Sequence, residues 1–182
     1  RTGFHRTTMQ DICKMAGVSP GALYVYFDSK EALIAGITER DRAEFAEQFA
    51  HVAEAEDLMG ALKTLGDYYM QADRAHKGPL SVEIGLEGLR NTGIGEIFRH
   101  FDREVFDQFG RLFQRLKDEG RIAPALDIPA TTTAFSVIAD GLLWRHAVHP
   151  QFDYAKALPA VLALVEMLLN PTPAAPPQGG PS

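Results

Sequence analysis

The chain is short of almost everything that catalysis, covalent cross-linking or a membrane would require. Its 182 residues include one cysteine, Cys13, and one tryptophan, Trp144. A lone cysteine excludes an internal disulfide and suits a reducing compartment. Set between Ile12 and Lys14 on a helical pattern, it reads as a small packing residue rather than a redox sensor. No stretch approaches the ~18 uninterrupted apolar residues of a membrane span, and no signal peptide is visible. A cytoplasmic protein with no membrane partner is therefore expected. Gly-rich phosphate loops, zinc patterns and nucleophile motifs are also missing, so no cofactor and no enzymatic activity are expected. His146 and His149 stand three apart, but no third ligand is tied to them by spacing. Histidines at a helix C-terminus are a common structural arrangement, and no metal site is assigned.

What is present is punctuation for helices, densest in the first 30 residues. Thr8 is a good N-cap, and Asp11 three residues on resembles a capping box. Ile12, Met15 and Ala16 follow at helical spacing, and Gly17 ends the run as a residue able to take a left-handed conformation. Ser19 can cap a second helix with Pro20 at its first position, where the missing N–H is not needed. That second helix, Pro20 to Phe27, is too short to stand alone. Leu23 and Phe27, at i and i+4, can anchor it, leaving Pro20, Gly21, Ala22, Tyr24, Val25 and Tyr26 partly free. This is a helix-turn-helix whose second helix ends in small residues and can enter a major groove.

The run Thr7-Thr8, Ile12, Ala16-Gly17-Val18-Ser19, Gly21, Leu23-Tyr24, Tyr26-Phe27, Ser29-Lys30-Glu31, Leu33 resembles the DNA-binding motif of the TetR family of bacterial transcriptional regulators. The resemblance covers roughly residues 3 to 37. It implies that Thr8, Ser19, Tyr24, Tyr26 and Lys30 touch phosphates and that Pro20, Gly21, Ala22 and Val25 face base edges. Family members carry one more helix ahead of this motif, whereas the sequence begins at Arg1 with Gly3-Phe4 directly before it. A first helix is expected to precede it in the whole protein. The charge fits such a head. The total is −6, and residues 1–30 carry Arg1, Arg6, Lys14 and Lys30 against Asp11 and Asp28, a balance of +2 that leaves −8 for the rest. An acidic body with a mildly basic head suits contact with DNA through the head alone, with modest non-specific affinity.

Beyond the motif the pattern is all-α. A long helix is expected from Lys30 to about Ala53, then one from Glu54–Asp57 to about Lys77, ended by Gly78-Pro79. Leu80 to Asn91 reads as a short helix closed by Thr92-Gly93. Gly95 to Glu119 carries the clearest amphipathic stripe, with Gly120 as its stop. Helices over Ala130–Val148 and Asp153–Asn170 complete the chain, with Pro159 near the start of the last. These elements give a DNA-binding domain over 1–45, a ligand-binding and dimerisation domain over 46–170, and a Pro/Gly-rich tail over 171–182 expected to be disordered.

Two surfaces are expected on the body. Tyr69, Phe98, Phe101, Phe109 and Trp144 are candidates to line a pocket for a small hydrophobic effector, and Glu83 and Glu87, on one helix face, are candidates to select charge in it. Leu158 to Leu169 is apolar over more than one face. The excess predicts a homodimer in which Phe135, Leu142, Val161, Leu164, Val165 and Leu168 meet their counterparts in a four-helix bundle. Two heads on the order of 35 Å apart would then read palindromic double-stranded operator DNA. The expected function is that of a ligand-responsive regulator, a repressor released by its effector. The alternative is a small-molecule-binding or interaction module with a vestigial helix-turn-helix.

Overall fold

The computed structural model describes residues 6–70 and 77–172. Among them are eight helices: α1 (Met9–Ala16), α2 (Pro20–Tyr24), α3 (Lys30–Glu54), α4 (Leu58–Met70), α5 (Lys77–Gly88), α6 (Thr92–Asp118), α7 (Ile128–Val148) and α8 (Tyr154–Leu169). Extended pairing among the described residues is limited to the single bridge Ile122–Pro171. The chain divides into two compact units, residues 1–103 and 104–182, with α6 contributing to both.

In the first unit the helix boundaries follow local chemistry. Asp11 N donates to Thr8 Oγ1 at 3.1 Å while Thr8 N donates to Asp11 Oδ2 at 2.9 Å, a reciprocal capping box. Gly17 takes φ 68°, the left-handed conformation that lets α1 stop and the chain turn. Ser19 and Ser29 cap α2 and α3, accepting from Ala22 N at 3.2 Å and Ala32 N at 3.1 Å. The α2 helix is shorter than its pattern suggested. Tyr26 N and Phe27 N both turn to Leu23 O, so the last turn tightens and the chain leaves the helix after Tyr24. Phe27 then reaches α3 at Gly36, where an added Cβ would sit 2.7 Å from the ring. Further along, α3 contributes Ile34 to a core with Ile84 of α5 and Ile94 of α6, against which Leu80, Ile97 and Phe98 pack.

Two boundaries differ from the sequence reading, for one reason. Gly78-Pro79 does not end a helix but lies in the first turn of α5, and Thr92-Gly93 opens α6 rather than closing the helix before it. Glycine and proline mark stops in a helix interior, yet a first turn accepts both because its N–H groups have no intrahelical partner. Residues 71–76, the last part of the helix expected to run to about Lys77, lie outside the described residues, as does Phe4.

The second unit is built on an aromatic cluster: Phe109 and Phe113 of α6 meet Phe135 of α7 at ring-centroid distances of 4.7 and 5.2 Å. Leu158, Val165 and Leu169 of α8 are buried in the same unit, where α7 and α8 pack against each other. Asp127 and Asp153 cap α7 and α8, and α8 runs through Pro159 to a left-handed Asn170. The chain does not go slack at Pro171. Ala123 N donates to Asn170 O at 3.0 Å and Thr172 N to Arg121 O at 2.9 Å, so the first two residues of the expected tail are pinned to the α6–α7 loop. The rest of that tail, 173–182, lies outside the described residues.

Candidate nucleic-acid interface

The head presents α2 outward. Among the residues assigned to DNA, Val25 is 77%, Tyr26 79% and Tyr24 48% exposed, while Pro20, Gly21 and Ala22 are exposed on the same short helix. Leu23 and Phe27, the expected anchors, are half-buried. The two tyrosines flank a patch of small apolar groups, the arrangement a groove-reading helix needs: hydroxyls for backbone oxygens at the margin, low relief at the centre.

The other three assigned residues have internal duties. The Thr8 hydroxyl is engaged twice, accepting from Asp11 N and donating to Asp11 Oδ2 at 2.6 Å. These bonds hold the Asp11 carboxyl below the usual range, the Thr8 hydroxyl being the larger influence and the Thr8 backbone N–H the next. The Ser19 oxygen caps α2 and keeps its hydrogen for an outside acceptor. The Lys30 ammonium donates to Thr7 O at 3.0 Å, half-buried, tying the start of α3 to the segment before α1. Lys30 therefore holds the head together, and any contact it makes with a phosphate is shared with that bond.

Behind the head, α3 is wired to α5 and α6. Asn91 donates from Nδ2 to Glu31 Oε1 at 2.6 Å and accepts from Ile94 N at 3.2 Å, so one side chain both caps α6 and holds the first turn of α3. Glu31's own backbone N–H, and then Asn91, keep its carboxyl below the usual range. Lys77 at the start of α5 bridges Glu44 at 2.7 Å and Asp41 at 3.2 Å, and Arg42 Nη2 lies 3.1 Å from His100 Nδ1. Sequence reasoning missed all three links. They join residues 33 to 60 positions apart, and no local spacing announces them.

The pocket candidates divide between the two units. Phe98 and Phe101 line a cleft of about 50 Å³ with Ile37, Thr38, Asp41, Ser81 and Ile84. Tyr69 packs edge-on against Tyr68, Glu83 is exposed and Glu87 is buried, and none of the three lines that cleft. Phe109 belongs to the aromatic cluster of the second unit, and Trp144 is 50% exposed on α7. A second cleft, about 240 Å³, lies between α3 and α4 and is lined by Gln48, His51, Val52, Ala61, Thr64 and Leu65. Of the interface candidates, Phe135 and Val165 are buried within their own unit. Leu164 is exposed, and Leu142, Val161 and Leu168 are half-buried.

Residues 1–37 match the model for bacterial regulatory proteins of the TetR family, and residues 71–170 match that for the C-terminal part of BetI-type transcriptional repressors. The chain belongs to the TetR family. Similar proteins agree with that. The transcriptional regulator UidR of Escherichia coli K12 is 29% identical over 145 residues, spanning 78% of this chain and 71% of its own. Salmonella enterica GusR superposes with a TM-score of 0.72 at 26% identity, covering 92% of this chain and 86% of that one. The fatty acid degradation regulator FadR of Bacillus halodurans, at 21% identity and a TM-score of 0.73 over 88% of each chain, shares the fold. This TetR-family chain is thus a helix-turn-helix DNA-binding transcriptional regulator, and no described helix is long and apolar enough to cross a membrane.

Proposed function

We propose that this regulator is a homodimeric repressor that reads a palindromic operator with α2 and leaves it when a small hydrophobic effector binds the helical body. The observation that carries the proposal is the outward face of α2 and the turn that follows it, where Tyr24, Val25 and Tyr26 are exposed behind a helix-helix turn capped at Gly17 and Ser19. A vestigial head would have no reason to keep this face together with its full set of caps.

Dimerisation rests on a second surface. Val137, Gly141, Trp144 and Val148 recur on the exposed side of α7, and Ala160, Leu164 and Met167 on that of α8. Met167 is 71% exposed. Two packed helices with a shared outward apolar face form half of a four-helix bundle. Trp144 thereby moves from pocket candidate to interface candidate.

Release follows from the wiring behind the head. A cleft of about 50 Å³ holds only one or two water-sized groups, whereas small-molecule sites span roughly 300–1,000 Å³. An effector entering beside Phe98 and Phe101 would part α5 and α6 from α3, and Ile34, Glu31 and Asp41 tie α3 to those helices. The effector shifts DNA affinity only by its preference for the parted state. The test of the head is titration of selected duplex DNA with Tyr24→Ala/Tyr26→Ala. The expected result is at least a tenfold loss of affinity with the dimer intact, and unchanged affinity would reject α2 as the reader.

A further inference from the structure

The outward face of α2 has an unusual chemistry for a helix that discriminates bases. Pro20, Gly21, Ala22 and Val25 carry no side-chain donor or acceptor at all. Bidentate recognition of guanine needs arginine or lysine, and that of adenine needs asparagine or glutamine. None of these four types occurs between Pro20 and Ser29, and the next cation, Lys30, is bonded to Thr7 O. What the face offers instead is small apolar relief, with Val25 projecting from it, 77% exposed.

Gly21 sharpens the point. Its φ is not left-handed, and an added Cβ would meet no described atom within 4 Å. The fold therefore asks nothing of a glycine here, and its place in the first turn of α2 tolerates one. The bare backbone leaves room for a surface from outside to come within a methyl's width of it.

We propose that α2 selects its operator by apolar contact with thymine C5-methyl groups in the major groove, received on Gly21, Ala22 and Val25, and not by hydrogen bonds to base edges. The proposal rests on the reading of α2 as the DNA-facing helix. Thymine is the base whose major-groove edge carries an apolar group, so a patch whose side chains hold no donor or acceptor discriminates it by burying that methyl. The tyrosine hydroxyls at the margin set the register on the backbone and leave the choice of base to the patch between them.

The experiment uses the full-length protein and the duplex it selects from a random library. Each thymine of the half-site is replaced in turn by deoxyuridine, which removes the methyl and leaves every hydrogen bond in place. Each guanine is replaced in parallel by 7-deazaguanine, which removes the N7 acceptor. The expected result is about a fourfold loss of affinity for each contacted methyl, the worth of one buried methyl-sized group, with guanine substitutions nearly silent. Gly21→Ala should stay folded, with a melting temperature no lower than that of the parent, yet lose at least tenfold in affinity for the same duplex. A duplex that binds equally well with deoxyuridine throughout and loses affinity with 7-deazaguanine would overturn the methyl reading while leaving α2 as the reader. Selection of no duplex at all would overturn both.

Discussion

Thr8 shows how a single residue sets the geometry of the reading head. Its hydroxyl and backbone N–H both bind the Asp11 carboxylate, and its oxygen also takes Asp11 N, so the start of α1 is fixed by contacts within four residues. Thr8→Ala should cost about 1 kcal/mol of stability, measured by denaturant unfolding at neutral pH. The carboxyl of Asp11 is depressed in the folded state, so its contribution is complete above the unfolded-state value. It disappears as pH falls through the lower folded-state value. The stability gap between parent and Thr8→Ala should therefore hold from neutral pH down to about pH 5 and narrow in stronger acid, keeping the share that comes from the bond of Asp11 N to Thr8 Oγ1. A gap already closed at pH ~5 would show that the box does not act through the ionised carboxylate. This scale was the most legible in the sequence. The caps read at Thr8 and Ser19 are choices made by one side chain within three residues of its partner, so residue type and spacing suffice, whereas those at Ser29, Asp127 and Asp153 went unread.

Between elements, the link from Asn91 to Glu31 joins α6 to the first turn of α3, and through Lys30 and Thr7 to the segment ahead of α1. Asn91→Asp separates its two functions. Aspartate still caps α6, but it faces Glu31 with a like charge in place of a donated hydrogen bond. The variant should be destabilised by about 1 kcal/mol at neutral pH, as expected for a lost hydrogen bond to a charged group at a largely solvated site. It should recover as pH falls into the carboxylate range and one of the pair takes a proton. Equal destabilisation at every pH would show that the cap, not the link, had been lost. Sequence periodicity could place Glu31 and Asn91 on helices but not bring them together. It also misjudged Gly78-Pro79 and Thr92-Gly93, because those residues are as suited to opening a helix as to ending one. Pocket residues were the least legible of all. Phe98 and Phe109 lie on one amphipathic helix, and only tertiary packing sends one to a cleft and the other to an aromatic core.

For the whole molecule, the proposal joins a DNA-reading head to an exposed apolar face that calls for a second copy. Trp144→Glu with Met167→Glu places two charges on the outward side of α7 and α8 without touching the core, since both residues are exposed. Sedimentation should then find a monomer of unchanged helicity, and its affinity for a full operator should fall to that of a single half-site. A dimer that survives both charges would move the interface elsewhere. The final helix, with eight apolar residues between Leu158 and Leu169, announced an excess of apolar surface. Which of them face outward was not readable, because Val165 and Leu164 are adjacent and burial falls to one and exposure to the other.

In this proposal α2 reads a palindrome as one of a pair. Selection of duplex DNA from genomic fragments by the full-length protein at physiological salt tests it most directly. The expected result is recovery of a two-fold symmetric site with half-sites about one helical turn apart, or a small multiple of it, bound by a dimer and lost on Tyr24→Ala/Tyr26→Ala. Recovery of no specific sequence, or of a site whose binding is indifferent to those two tyrosines, would contradict it.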